Sequence, residues 1–345
     1  MSKKILTVSF AVIVSMFCVG LFNSNVAHSA EETIKIAHPN VPEHPMGKAF
    51  IKFKEMVEKR SNGEIQVRIF DSSKYGDYDD VVNGLQTGAL EMGSASTPNL
   101  APFTNKFLIY DMPFLIPSYE AADQITDGPI GREAVNALEG TGILGLGYIE
   151  IGFRHLFNSK RAVESLDDAN GLKIRSTSSK AHIATLEAIG YNPTPIAWSE
   201  VYTALQQQTV DGIDIDLCLA WHNNFQEVTD YLTLIGSIYS PHLVMISQKF
   251  YKSLTPQQQI LITDAFTEMK LYERRLIRQE ESKIVENLQD KEDFQVIKLT
   301  PEQRKKWKEA TSSVYKEFED RVSGELLNRA REAVEGYEPE PLYTK

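Results

Sequence analysis

Apolar positions along the chain switch between two spacings, and the switches mark out its elements. Residues 33–38 alternate as a strand and run into a loop rich in Pro. Phe50, Phe53, Met56 and Val57 recur at helical spacing until Asn62-Gly63 stops the helix. Ile65, Val67 and Ile69 alternate again, predicting a half-buried strand. A helix over about 79–87, a strand over about 90–95 and a buried strand over 143–149 complete a βαβα order, the mark of an α/β layered domain. The same grammar restarts after Asn158. A strand over 172–175, helices over 178–189 and 199–207, and strands over 210–215, 231–235 and 243–247 follow. Two α/β modules of similar size are expected, joined near Gly152 and again near Pro241.

The last third changes character. Thr255-Pro256-Gln257-Gln258 and Thr300-Pro301-Glu302-Gln303 each combine a capping residue, Pro at the first helical position and Gln at the third. Each opens a long charged helix, the first reaching about Asp290. At 1.5 Å per residue that helix is roughly 50 Å long, longer than a small domain is wide. It is expected to run along both modules, because Leu261, Ala265, Met269, Leu271, Leu276 and Ile284 give it an apolar side.

The start of the chain has a different purpose. Lys3 and Lys4 precede an uncharged stretch, residues 5–22, and small residues end it at Ala27-His28-Ser29-Ala30. This predicts an export leader, residues 1–30, cut after Ser29 or Ala30, and a periplasmic mature chain. An uncleaved anchor is the alternative, since the stretch approaches a spanning length. Cys18 follows Met16-Phe17 rather than small residues, which argues against a lipid anchor. Without residues 1–30 the chain keeps 34 basic and 47 acidic residues, a net charge of −13. A nucleic-acid partner needs a basic surface, so none is expected. Cys218 is then the single cysteine, and no internal disulfide can form.

Enzyme motifs are mostly absent: no Gly-rich phosphate loop, nucleophile elbow, Cys pair or His-Glu-x-x-His helix occurs. Histidines 38, 44, 155, 182, 222 and 242 stand singly, so neither a metal nor a cofactor is expected. His182 reads as a helix-surface or core histidine. Three segments stand out: Gly152-Phe153-Arg154-His155, Gly171-Leu172-Lys173-Ile174-Arg175-Ser176, and 196–205 running into Val210-Asp211-Gly212. Arg175 at a strand end is either half of a surface ion pair or an anion anchor. Ligands of α/β modules settle outside the carboxyl ends of strands, and Arg suits a two-pronged grip on a carboxylate.

These segments resemble the TRAP-type (tripartite ATP-independent periplasmic) solute-binding proteins, among them sialic-acid and dicarboxylate receptors. Gly-Leu-Lys-Ile-Arg at 171–175, Asn192-Pro193-Thr194-Pro195, Ser199-Glu200-Val201-Tyr202, Ala204-Leu205-Gln206 and Asp211-Gly212 stand in the family's order and spacing. The resemblance implies an α/β, two-lobed periplasmic binding protein with hinge strands and a long C-terminal helix contacting both lobes. The first lobe would take 31–151 and 241–280, the second 152–240 and 281–345. It implies a receptor that closes on a small organic anion and hands it to the integral membrane permease subunits of a TRAP transporter. Carried onto this chain, Arg175 matches the arginine that pairs with the ligand carboxylate, and Arg154 a second arginine that helps hold the anion. Trp198 falls where an aromatic residue lies beside the ligand, or else caps the lobe core. His44 and Ser96 occupy loops on the first-lobe side of the cleft.

The chain also departs from the family pattern. Where Gln-Glu-Asn-Pro commonly follows Asp-Gly, it reads Ile213-Asp214-Ile215-Asp216, so an asparagine that often touches the ligand becomes Ile215. Asp214, between two apolar neighbours, either points into the cleft to favour a ligand hydroxyl or ammonium, or accepts backbone donors at the strand end. Two other functions compete with the TRAP reading: a binding protein of an ATP-driven importer or sensor, and a periplasmic hydrolase using Asp214 with a second acid.

Overall fold

A computed structural model describes residues 32–339; the expected leader, 1–30, lies outside them. The first-lobe strands are β1 (Glu32–Ala37), β2 (Ile65–Phe70) and β3 (Met92–Ser96). The remainder are β4 (Ile143–Asn158), β5 (Lys173–Ser176), β6 (Asn192–Pro195), β7 (Gly212–Asp216), β8 (Tyr231–Leu234), β9 (Tyr239–Ser247) and β10 (Gln295–Lys298). One end of the sheet runs β2-β1-β3-β9-β4, parallel within β1–β3 and antiparallel where β9 enters. The other end runs from β4 through β7 and β5 to β6, with β8 and β10 on the opposite side of β4.

The sixteen-residue strand β4 belongs to both ends. Ile143–Phe153 pairs with β9, and from Arg154 onward its partners are β7 and β8. The strand slips register between Glu150 and Gly152, where Gly152 takes φ +116°. A second passage between the lobes follows β8, through 235–238 into β9. The chain thus forms two α/β lobes connected by crossing strands, as the resemblance implies.

Both capping boxes form: Thr255 with Gln258, and Thr300 with Gln303. The first opens a helix of 34 residues, Pro256–Gln289, about 51 Å long at 1.5 Å per residue. It packs on the first-lobe helix Pro45–Arg60 and on the second-lobe helix Leu217–His222. Its apolar residues Ile277, Ile284, Val285 and Leu288 lie in one continuous core with Phe50 and Phe53 of the first lobe and Leu232 and Leu234 of the second. Cys218 is fully buried in that core. Its polar side is bolted to the first lobe: Arg278 bonds Asp123 and Glu150, Arg274 bonds Asp127, and Glu273 accepts from the Glu150 amide at 3.0 Å.

The stretch after Thr300 is three helices rather than one: Pro301–Ala310, Ser312–Val322 and Gly324–Ala333, broken at Ser323 with φ +78°. The division by sequence puts 281–345 in the second lobe, and here the packing differs. Val314, Phe318, Val322, Leu326 and Leu327 are buried with Phe107, Tyr110, Ala121 and Ile125 of the first lobe. Helix Ser312–Val322 also touches the second-lobe helix Lys180–Ile189, so it bridges the lobes. The apolar residues of these helices find their matching surface on the first lobe, which sequence distance conceals.

Candidate binding cleft

Between the lobes lies a cavity of about 420 Å³. The carboxyl ends of β3, β5, β6 and β7 deliver residues to it: Ser96, Thr177, Ile196 and Ile215. That is where an α/β fold leaves room for a ligand.

Arg154, Arg175, Trp198 and Ser96 all line the cavity. Arg175 is only 5% exposed. Its Nε and Nη2 donate to the Ile196 carbonyl at 3.1 and 2.9 Å, and its guanidinium carbon lies 5.9 Å from the Trp198 ring centre. Burial first, then the charge of Arg154, pushes the Arg175 pKa down to about 10, so the side chain stays cationic at neutral pH. No carboxylate pairs with it among the described residues. The surface ion-pair alternative therefore does not describe this arginine.

Arg154, 7% exposed, is held differently. Its Nε donates to Asp214 Oδ1 at 2.6 Å, its Nη2 to the Asp214 carbonyl, and its Nη1 to Ser240 Oγ at 3.2 Å. The β4–β7 register, with Arg154 opposite Asp216 and Leu156 opposite Asp214, brings these side chains together.

Asp214 is absent from the cavity wall and 1% exposed. It lies beneath the wall, bonded to Arg154 and, at 3.2 Å, to His182 Nε2. The His182 Nδ1 accepts from the Thr177 amide, which puts the ring proton on Nε2, aimed at Asp214. Burial pushes the Asp214 carboxyl up, but the His182 bond and the Arg154 charge outweigh it and hold the group below the usual carboxylate range. Burial, then Arg154, lowers the His182 pKa to about 4, so its ring is neutral. Of the two sequence readings of Asp214, the structure favours a structural one, though the partners are side chains rather than backbone donors.

His44 is likewise away from the wall. It caps helix Pro45–Arg60, its Nδ1 accepting from the Met46 amide at 3.0 Å, and it is wholly buried. Pro at the first helical position, with a side-chain acceptor before it, is the local reason.

Several wall residues escape sequence reasoning. Asp77, Tyr78, Asp79 and Asp80 come from the start of helix Tyr78–Thr87, and Ser240 and His242 from β9. His242 meets the Tyr78 ring edge-on at 5.3 Å, and burial lowers its pKa to about 3. Asp77 at the N-cap was a detectable signal; the β9 residues were not, because β9 reaches the cleft only through its pairing with β3 and β4. Asp77 also reaches across the cleft, accepting from Ser199 Oγ at 3.2 Å. Ser179 Oγ donates to Asp111 Oδ2 at 2.6 Å, a second bond between the lobes.

Two α/β lobes closing on a buried, arginine-walled cavity define the class of two-lobed solute receptors. The profile of the bacterial extracellular solute-binding proteins of family 7 matches residues 36–321, and the chain belongs to that family. It is 29% identical over 287 residues to the 2,3-diketo-L-gulonate-binding periplasmic protein of Escherichia coli, covering 83% of this chain and 86% of that one. It superposes with TM-score 0.85 and 29% identity on the sugar acid binding protein of Advenella mimigardefordensis solved with galactonate, covering 87% and 97% of the two chains. A TRAP periplasmic solute binding protein of Sulfurospirillum deleyianum solved with succinate gives TM-score 0.83 and 29% identity, covering 88% and 99%. No helix among the described residues is long and apolar enough to cross a membrane.

Proposed function

We propose that this chain is the extracytoplasmic receptor of a TRAP transporter, taking up a small organic anion and presenting it to integral membrane permease subunits. Arg175 carries the reading: a buried guanidinium on the cavity wall whose hydrogen bonds among the described residues go to one carbonyl. A ligand carboxylate would meet two charge-assisted donors there, with water excluded by the closed lobes. Arg154, its charge balanced by Asp214, would add donors rather than net charge, and Trp198 would cover the ligand's apolar face. The ligands in the names of the relatives, a diketogulonate, galactonate and succinate, are all carboxylates, which supports the same class.

A periplasmic location follows the family and the leader-like start. The hydrolase reading needs carboxylates on both sides of a bond. The acids on this wall all come from 77–80, and Asp214 is committed to Arg154.

Calorimetric titration of Arg175→Ala tests the proposal. Removing one partner of such a buried pair costs about 2–5 kcal/mol, roughly thirty- to several-thousand-fold in affinity. Arg175→Lys is expected to recover only part of it, since an ammonium lacks the planar fork. Near-normal affinity in a well-folded Arg175→Ala protein would refute the anchor.

A further inference from the structure

The charges around the cavity are unequal on its two sides, and this bears on what the ligand carries besides its carboxylate. On the second-lobe side there are two arginines, but one is already paired: Arg154 and Asp214 form a buried salt bridge at 2.6 Å. That wall therefore offers one positive charge in no salt bridge among the described residues, at Arg175, with Asp77 and Asp214 acting on it from a distance. His242, the remaining basic side chain on the wall, is neutral.

The first-lobe side is acidic. Asp77, Asp79 and Asp80 all line the cavity, and none forms a salt bridge with a Lys or Arg among the described residues. Their bonds go to neutral groups. Asp77 takes the Ser199 hydroxyl, Asp79 takes the Asn99 amide at 3.0 Å, and Asp80 takes the Asp77 amide at 2.9 Å. Ionised carboxylates are acceptors only, so their spare lone pairs call for donors. A second carboxylate on the ligand, extended away from Arg175, would instead enter the field of these three acids.

We infer that the preferred ligand is a monocarboxylate whose far end carries hydrogen-bond donors, hydroxyl groups foremost, and that dicarboxylates are disfavoured. The inference rests on the carboxylate being anchored at Arg175. The Arg175 guanidinium neutralises the head group, while Asp77, Asp79 and Asp80 select the tail by its sign and its donors.

The test compares three acids of equal chain length on the full chain by calorimetry: gluconate, with one carboxylate and several hydroxyls; adipate, with two carboxylates; and hexanoate, with one carboxylate and no donors. Gluconate is expected to bind tightest, ahead of adipate by about tenfold or more at low salt. Asp79→Asn, an exposed position whose substitution keeps the side chain's size, is expected to narrow that ratio at least severalfold by strengthening adipate. Adipate binding as tightly as gluconate, or a ratio unchanged in Asp79→Asn, would overturn the inference. If adipate wins and Arg175→Ala abolishes its binding, the receptor reading stands and only the choice of tail fails. If all three acids bind independently of Arg175, or none binds, both fail.

Discussion

Asp214 and Arg154 are held sixty positions apart in the chain and 2.6 Å apart in space, both out of water. Asp214→Asn would leave the Arg154 charge buried without its counterion, a change that typically costs about 3–5 kcal/mol. The expected result is a large fall in melting temperature, rather than the altered ligand preference that a cleft-facing Asp214 would give. The pH dependence follows from the sign of the shift. Asp214 titrates lower when folded than when unfolded, so its contribution is present above the unfolded value near 3.9 and lost as pH falls through the folded one. Asp216 works oppositely: burial raises its pKa to about 7, so stability declines as pH climbs from about 4 to 7. Melting curves from about pH 2 to about pH 8 are expected to show loss on both sides of about pH 4, and Asp214→Asn is expected to lack most of the acid-side loss. The local cue for Arg175, an arginine ending a strand, left it open between a surface ion pair and an anion anchor; the family resemblance chose the anchor, and the structure puts the side chain, buried, on the cavity wall. The partner of Asp214 was not, because the β4–β7 register that selects it is a tertiary fact. His44 misled for a related reason: His-Pro after a strand looks like a cleft loop, and only the helix that follows makes it a cap.

The elements read best where their pattern was self-contained. The capping boxes, the long helix and the short strands of both lobes fell within a few residues of their observed ends. Strand β4 was read only as far as 149 because Glu150, Gly152 and Arg154 interrupt its apolar run, yet Glu150 is satisfied by Arg278 and Tyr239 and Arg154 by Asp214. Strand β6 was missed because it contains Pro193 and Pro195. Prolines are tolerated there because β6 is an edge, pairing with β5 alone. Gly152 is where the two lobes' pairings meet. A Cβ added there would lie 2.4 Å from Glu281 Oε1 of the long helix, at a φ of +116° that side chains rarely adopt. Gly152→Ala is therefore expected to destabilise by about 1–3 kcal/mol. The denaturant midpoint would report it, and an unchanged midpoint would show that this junction tolerates a side chain.

At the scale of the molecule, the lobes touch directly across the cleft at Asp77–Ser199 and Ser179–Asp111, an arrangement that encloses the cavity. These two hydroxyl–carboxylate bonds, on the order of a few kcal/mol together, add to apolar contact where Phe114 of the first lobe is buried with Leu156 and Ile174 of the second, and a ligand carboxylate on Arg175 adds to the closed state alone. Ligand is therefore expected to shift an open–closed equilibrium, and small-angle scattering is expected to show the radius of gyration fall on adding it. No change at saturation would argue against hinge closure. The position of Cys218 has a consequence of another kind. Its thiol lies on helix Leu217–His222, packed against the long helix and β4 in the core that the two lobes share. It reaches solvent only when that shared core opens, and a chain without residues 1–30 has no other thiol. Its reaction with a colourless disulfide reagent is thus expected to act as a clock for the population in which that core is open. Any acid that stabilises the closed receptor slows that clock by a factor of one plus its concentration over its Kd, and affinity becomes readable as a change in colour.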